Sequence, residues 1–261
     1  MRRRRFFING MVVWGLLLAT AALVGVSAAR GDDFRIDNSA VVVGEKDPPS
    51  ESTTIFCNGV VYDCMKSPAE TVVFERAAGR FVLLNMKSRT RAELTTGELA
   101  AFSNRLQQLA ARNSDPVLKF LAAPKFQERF DEATQELTLS SPWVTYRATL
   151  MPEADPAAIE QYHEFSDWYA RLNTLLSPGS RPPFARLMLN AALAQRKAMP
   201  SQVMLTLAPS KSNRTPITVE STHQIVRPLK PSDLDRVAQI RESMGKYKLV
   251  GFEHYRKADL R

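Results

Sequence analysis

Residues 53–64 read Thr53-Thr54-Ile55-Phe56-Cys57-Asn58-Gly59-Val60-Val61-Tyr62-Asp63-Cys64. Two runs of β-branched and aromatic residues flank Asn58-Gly59. Both turn residues tolerate positive φ, so the stretch predicts a hairpin with a two-residue turn. A strand with one solvated face should alternate apolar and polar residues. Val60-Val61-Tyr62 does not, and neither does Val72-Val73-Phe74 or Phe81-Val82-Leu83-Leu84. These strands need cover on both faces. Helices can supply one side; the other requires a further helix or a bound ligand.

Working outward, Phe34 to Gly44 is extended and ends at Asp47-Pro48-Pro49-Ser50. Ser67-Pro68 closes the run after Cys64. Ala77-Ala78-Gly79 joins the strands around Phe74 and Phe81, and Lys87-Ser88-Arg89 turns into Thr90–Leu94. Short strands in close succession predict an antiparallel meander.

The period then changes. Thr95 and Glu98 have capping-box spacing, and Leu99, Phe102, Leu106 and Leu109 recur on one helical face. Asp115-Pro116 opens a short helix that Pro124 stops. Three strands follow, at Lys125–Asp131, Gln135–Ser140 and Trp143–Leu150. Asp155-Pro156 starts the longest helix, to about Leu176, since proline suits the first helical position. Its apolar face is Ile159, Tyr162, Phe165, Tyr169, Leu172 and Leu176. Pro182-Pro183 begins another helix, with Phe184, Leu187, Met188 and Ala191 expected inward. Strands at Val203–Leu207 and Ile217–Val226, a helix from Pro231-Ser232 to Gly245 and a final strand over Tyr247–Tyr255 complete the reading. Runs of strands separated by runs of helices predict an α+β fold. Its core is a curved antiparallel sheet, a meander plus hairpins, with helices packed on one face.

At the N-terminus, Arg2–Arg5 precede an uncharged apolar run, Ile8–Val26, and then Ser27, Ala28 and Ala29. This order predicts a signal peptide over residues 1–29 and one exported globular domain over 30–261. The alternative is an uncleaved segment anchoring the chain to the inner membrane, the only route to membrane association foreseen. Arg3-Arg4-Arg5-Phe6-Phe7 resembles a twin-arginine signal, and the export route stays open. Counted whole, 35 Lys and Arg against 27 Asp and Glu give +8; without Arg2–Arg5 the excess falls to +4. Those charges are scattered, which argues against a nucleic-acid partner.

The meander, the later helices and hairpins and the export signal resemble, in element order, the half-barrel of the LolA-like periplasmic lipoprotein carriers. The Ala77-Ala78-Gly79-Arg80-Phe81-Val82-Leu83-Leu84 turn and strand is similar to that family's glycine turns followed by apolar strands. The resemblance spans Phe34–Tyr255. It implies a half-barrel that carries an apolar small molecule, a lipid or a lipoprotein, and it assigns no functional residue.

Chemical motifs are sparse. G-x-S-x-G, the P-loop, G-x-G-x-x-G and H-E-x-x-H are all absent from the 261 residues. His163 and Asp167 share a helix face with Glu160 one turn before. A solvated helix edge or a helix–sheet hydrogen bond explains His163 better than a metal or a general base. Cys57 and Cys64 would stand roughly 13 Å apart in the hairpin, at ~3.3 Å per residue. A disulfide needs Cα atoms within about 7 Å, and a wider loop closed by the bond remains the alternative. No catalytic residue, metal or cofactor is expected. Tyr162, Phe165 and Tyr169 are the candidates to line an apolar pocket between sheet and long helix, with their polar tips at its mouth; a fully packed three-layer core, in which they are ordinary core aromatics, is the alternative that helical spacing favours. The leading expectation is therefore a non-enzymatic envelope protein binding an apolar ligand or lipoprotein. A hydrolase with a site assembled from distant segments, and a structural or interaction protein, are the alternatives. N-terminal sequencing of exported protein should begin at Ala29 or Arg30; retention of Met1 in the membrane fraction would instead establish an anchor.

Overall fold

The computed structural model describes residues 33–151, 155–177, 180–209 and 215–258. The expected signal peptide, 1–29, lies outside these residues. The meander comprises β1 (Phe34–Val42), β2 (Ser50–Cys57), β3 (Val60–Met65), β4 (Glu70–Glu75), β5 (Arg80–Asn85) and β6 (Thr90–Thr95). Helices α1 (Thr96–Ala111) and α2 (Pro116–Ala122) follow, then β7 (Gln127–Asp131), β8 (Glu136–Ser140) and β9 (Val144–Met151). Next come α3 (Pro156–Leu176) and α4 (Phe184–Gln195), then β10 (Met199–Leu207) and β11 (Ile217–Val226). The described chain ends with α5 (Pro231–Lys246), β12 (Lys248–Leu249) and α6 (Phe252–Ala258).

The strands form one curved, open 12-stranded sheet in the order β12-β6-β5-β4-β3-β2-β1-β11-β10-β9-β8-β7. All neighbours are antiparallel except β12 and β6. The fold is α+β, as its strand and helix runs predict. Because β1 pairs with both β2 and β11, the meander and the later hairpins share one sheet.

The local signals operate as chemistry requires. Asn58 and Gly59 adopt positive φ, 53° and 73°, and place Cys57 opposite Val60 and Cys64 opposite Thr53. Both cysteines are free and buried. Thr95 and Glu98 make the reciprocal capping box at the start of α1. Gly79 has φ 55°, and a Cβ there would stand 2.9 Å from the Thr96 hydroxyl.

The doubly apolar strands are covered twice. Phe56, Val61, Val72, Phe74, Phe81 and Leu83 pack under α3 with Ile159, Tyr162, Phe165 and Leu172. On the opposite face Ile55, Tyr62, Val73, Val82 and Leu84 pack with Val237 and Ile240 of α5. Helix α5 is pinned there by Arg241 Nε, which donates to the Tyr62 hydroxyl at 2.8 Å, and by Arg35, which donates to Asp233 at 2.8 Å. The other helices share the α3 face: α4 packs on β8–β10, and Tyr255 of α6 joins the α3 cluster. The expectation of helices on one face therefore has a single exception, and that exception supplies the second cover.

Three sequence expectations are corrected. The final strand is only Lys248–Leu249; beyond Gly251 the chain is helical, with Phe252 and Tyr255 facing the core three residues apart. Helix α4 buries Ala185, Leu189, Ala192 and Leu193, leaving Met188 43% exposed. Its sequence is apolar nearly all round, so the period does not choose a stripe. Leu109 of α1 is likewise outward, at 68% exposure.

Ile240 is 4% exposed beneath α5. Ile240→Ala is expected to lower stability by about 2–5 kcal/mol, the range for emptying a packed aliphatic site. Urea unfolding should show the midpoint fall at unchanged slope; a change under about 1 kcal/mol would mean that α5 does not seal this face.

Candidate functional site

Strand register arranges the α3 face of the sheet in rungs. The first runs Phe34–Phe56–Val61–Phe74–Phe81–Leu94 and is wholly apolar. Phe34 and Phe56 stack at 4.2 Å, and Phe165 meets Phe56 edge-on at 5.9 Å. The second is mixed: Ile225–Ile36–Thr54–Asp63–Val72–Leu83. The third, His223–Asn38–Ser52–Met65, is largely polar. Polarity thus rises along the strands, in the direction that α3 runs from Ile159 to Ser177.

Between these rungs and α3 lies a cavity of about 980 Å³. Ile36, Phe56, Val72, Tyr162 and Phe165 line its apolar end; Ser50, Asn173 and Ser177, all exposed, line its other end. A second cavity of about 450 Å³ adjoins it, and Ala170, Asn173, Ser177 and Arg186 line both.

A directed hydrogen-bond chain crosses the polar rungs. The Tyr169 hydroxyl donates to Asp63 Oδ2 at 2.5 Å, and the Thr54 hydroxyl to Asp63 Oδ1 at 2.7 Å. Asn38 Nδ2 donates to Thr54 Oγ1 at 2.9 Å, and His223 Nδ1 lies 2.8 Å from Asn38 Oδ1. Because the Asn38 oxygen accepts, His223 carries its proton on Nδ1 and leaves Nε2 as an acceptor. Every donor points along the chain towards Asp63. Burial pushes the Asp63 carboxyl up against these bonds, and burial beside Asp63 holds the Tyr169 phenol well above its usual value. Burial, with Arg186 nearby, pushes His223 down to about 4.

Ser221 Oγ stands 3.4 Å from His223 Nε2, which gives a Ser–His–Asn order. Its geometry is that of a packed strand rather than a nucleophile: Ser221 donates to the Val203 carbonyl at 3.3 Å, and β11 is laddered on both sides. No pair of free strand amides therefore stands beside Ser221 to bind an oxyanion. Among the described residues, no three His, Cys, Asp or Glu side chains gather as a metal site requires.

Tyr162, Phe165 and Tyr169 all line the larger cavity. Tyr169 differs from expectation in one respect: its hydroxyl turns inward to Asp63 instead of towards the mouth. His163 makes a helix–sheet hydrogen bond, with Nε2 3.0 Å from the Ala198 carbonyl just before β10. Asp167 acts on His163 through its charge but makes no hydrogen bond to it, and accepts from Asn190 of α4 at 2.9 Å. Sequence reasoning missed Asp63, Asn38, His223 and Arg186. Asp63 carried a readable signal, since a carboxylate inside a doubly apolar strand must be bonded or neutral. The others become neighbours only through the β1–β11 pairing and the α3–α4 packing.

The chain matches no protein-family model and pairs with no curated protein. Among the described residues, no helix is long and apolar enough to cross a membrane.

His223 binds its proton less readily when folded, at about 4 against 6.5 for the free side chain. The folded state therefore loses stability as pH falls through this window, by up to about 3 kcal/mol, and the loss levels off below it. Asp63 and His163 also titrate, but they are common to the wild type and His223→Gln. Urea unfolding between pH 7 and 4 should show a smaller loss in the variant; equal losses would contradict this account of His223.

Proposed function

We propose that this is a non-enzymatic binding or carrier protein that holds the chain of an amphipathic ligand between its sheet and α3. The cavity carries the proposal: about 980 Å³, apolar where Phe56, Val72 and Phe165 meet and polar towards the open end. Small-molecule sites are about 300–1,000 Å³, mostly apolar, with a few placed polar groups. An alkyl chain gains from burial against the first rung, while a polar head gains from the third.

The basic head Arg2–Arg5, the apolar run and the small residues up to Ala29 support export to the envelope. The resemblance in element order to the LolA-like half-barrels supports carriage of an apolar molecule or lipoprotein. A hydrolase would need a nucleophile and oxyanion donors, and the Ser221 arrangement offers neither. A purely structural role would leave the cavity without a use.

Solvent extraction of the purified protein, read by native mass spectrometry, should release acyl-chain compounds. A fluorescent fatty-acid probe should bind saturably at one site. Ala40 lines the cavity on a half-buried position, so Ala40→Trp should obstruct it and weaken probe binding about tenfold or more. Extracts free of lipid, together with no saturable probe binding, would end the carrier reading.

A further inference from the structure

Arg186 stands where the two cavities meet and lines both. Its Nε donates to Asn190 Oδ1 at 3.0 Å, and Asn190 Nδ2 donates to Asp167 Oδ1 at 2.9 Å. Asn190 is 2% exposed. A buried amide, itself held by a carboxylate on α3, therefore sets the direction of the guanidinium. Only Nε is used; the terminal nitrogens make no hydrogen bond to a described residue. Among the described residues, no carboxylate pairs with Arg186 or Arg181, although both stand at the cavities.

Three further observations converge here. Arg181 lines the second cavity, and the charges of Arg181 and Arg186 both act on the Tyr146 phenol within it. Tyr146 is 5% exposed, and its hydroxyl bonds to no described residue. The start of α4 faces the same space through Pro182, Pro183 and Ala185, and it has no side-chain cap and no acid in its first turn. Its first amides and the positive end of the helix dipole therefore add to the cations. The only carboxylates lining either cavity among the described residues are Asp63, one rung deeper, and Glu70, across on β4.

We infer that Arg186, positioned by Asn190 and Asp167 and assisted by Arg181 and Tyr146, receives the oxyanion head of a single-chain amphiphile, a fatty carboxylate or an alkyl phosphate. The tail of that molecule runs past Tyr169 towards Phe56 and Phe165. A guanidinium whose terminal nitrogens bond to no described residue suits both heads, because it can bond two oxygens of one anion at once. Burial of the tail and pairing of the head are separable contributions, and this inference rests on the reading of the larger cavity as an apolar-ligand site.

The test compares displacement of the fluorescent fatty-acid probe by dodecanoate, monododecyl phosphate, dodecanol and inorganic phosphate. Dodecanoate or monododecyl phosphate should bind about 10- to 100-fold more tightly than dodecanol, the range for hydrogen bonds to a charged group. Whichever is tighter identifies the head. Inorganic phosphate alone should not compete. Arg186→Gln should bring the anionic ligands down to the dodecanol level while leaving dodecanol unchanged, which also shows that the variant is folded. Asn190→Leu should lower the anion-to-alcohol ratio although the guanidinium remains, as a positioning residue requires and a merely structural one does not. Equal affinity for dodecanoate, monododecyl phosphate and dodecanol in the wild type would overturn the head site and leave the apolar cavity standing. Competition by inorganic phosphate as strong as that of monododecyl phosphate would overturn the amphiphile in favour of a free-anion site. Failure of every dodecyl compound to displace or bind would overturn both readings.

Discussion

Asp63 is a carboxyl group in the middle of β3, a strand with apolar cover on both faces, and its need for partners organises the α3 side of the sheet. Left without hydrogen bonds, such a group costs several kcal/mol. Thr54 on the neighbouring strand satisfies one oxygen, and Tyr169 on α3 satisfies the other. The second bond fixes the height and rotation of α3 about two thirds of the way along it. Towards its start α3 packs closely, with Phe165 against Phe56; beyond Tyr169 it passes over Asn38, Ser52 and His223. Polar side chains bonded to one another do not interdigitate with a helix as leucines do, and the cavity opens there and reaches back to Phe56 and Phe165.

The opposite face has no comparable freedom. Helix α5 seals it with Val237 and Ile240, held by Asp233 in its first turn and by Arg241 past its middle. Because that cover is a helix, the second apolar face of β3–β5 does not require a ligand. The space for one lies on the α3 side, where the sheet changes character from the Phe34–Phe81 rung to the His223–Met65 rung. Fold and cavity are thus linked through a single strand: Tyr62 and Cys64 face α5, while Val61 and Asp63 face α3.

Much of this was legible in sequence, where local chemistry decides local structure. Asn58-Gly59 dictates its hairpin because two consecutive residues must take positive φ. Thr95 with Glu98, and Asp155 with Pro156, start helices through groups that satisfy the first free amides. Helical spacing alone puts Tyr162, Phe165 and Tyr169 on one face of α3; that this face borders a cavity comes from packing against the sheet. What was not legible depends on partners distant in sequence. The inward stripe of α4 is undecided by its own residues, since nearly every position is apolar, and packing on β8–β10 selects Leu189 and Leu193. His223 gains Asn38 only when β11 pairs with β1, 185 residues away. Asp167 looks like a companion of His163 on one helix turn, yet it serves Arg186 through Asn190. Gly251 separates a two-residue strand from a helix within a stretch that reads as one continuous strand.

The most direct measurement is the place that a ligand's two ends take in a crystal. With dodecanoate brominated at its terminal carbon, the anomalous signal of the bromine marks the tail, and ordinary density marks the head. The bromine should lie beside Phe56 and Phe165 at the apolar end, with the carboxylate on the Arg186 guanidinium. Bromine found at the Arg186 end, or anywhere outside the space between α3 and the sheet, would contradict it.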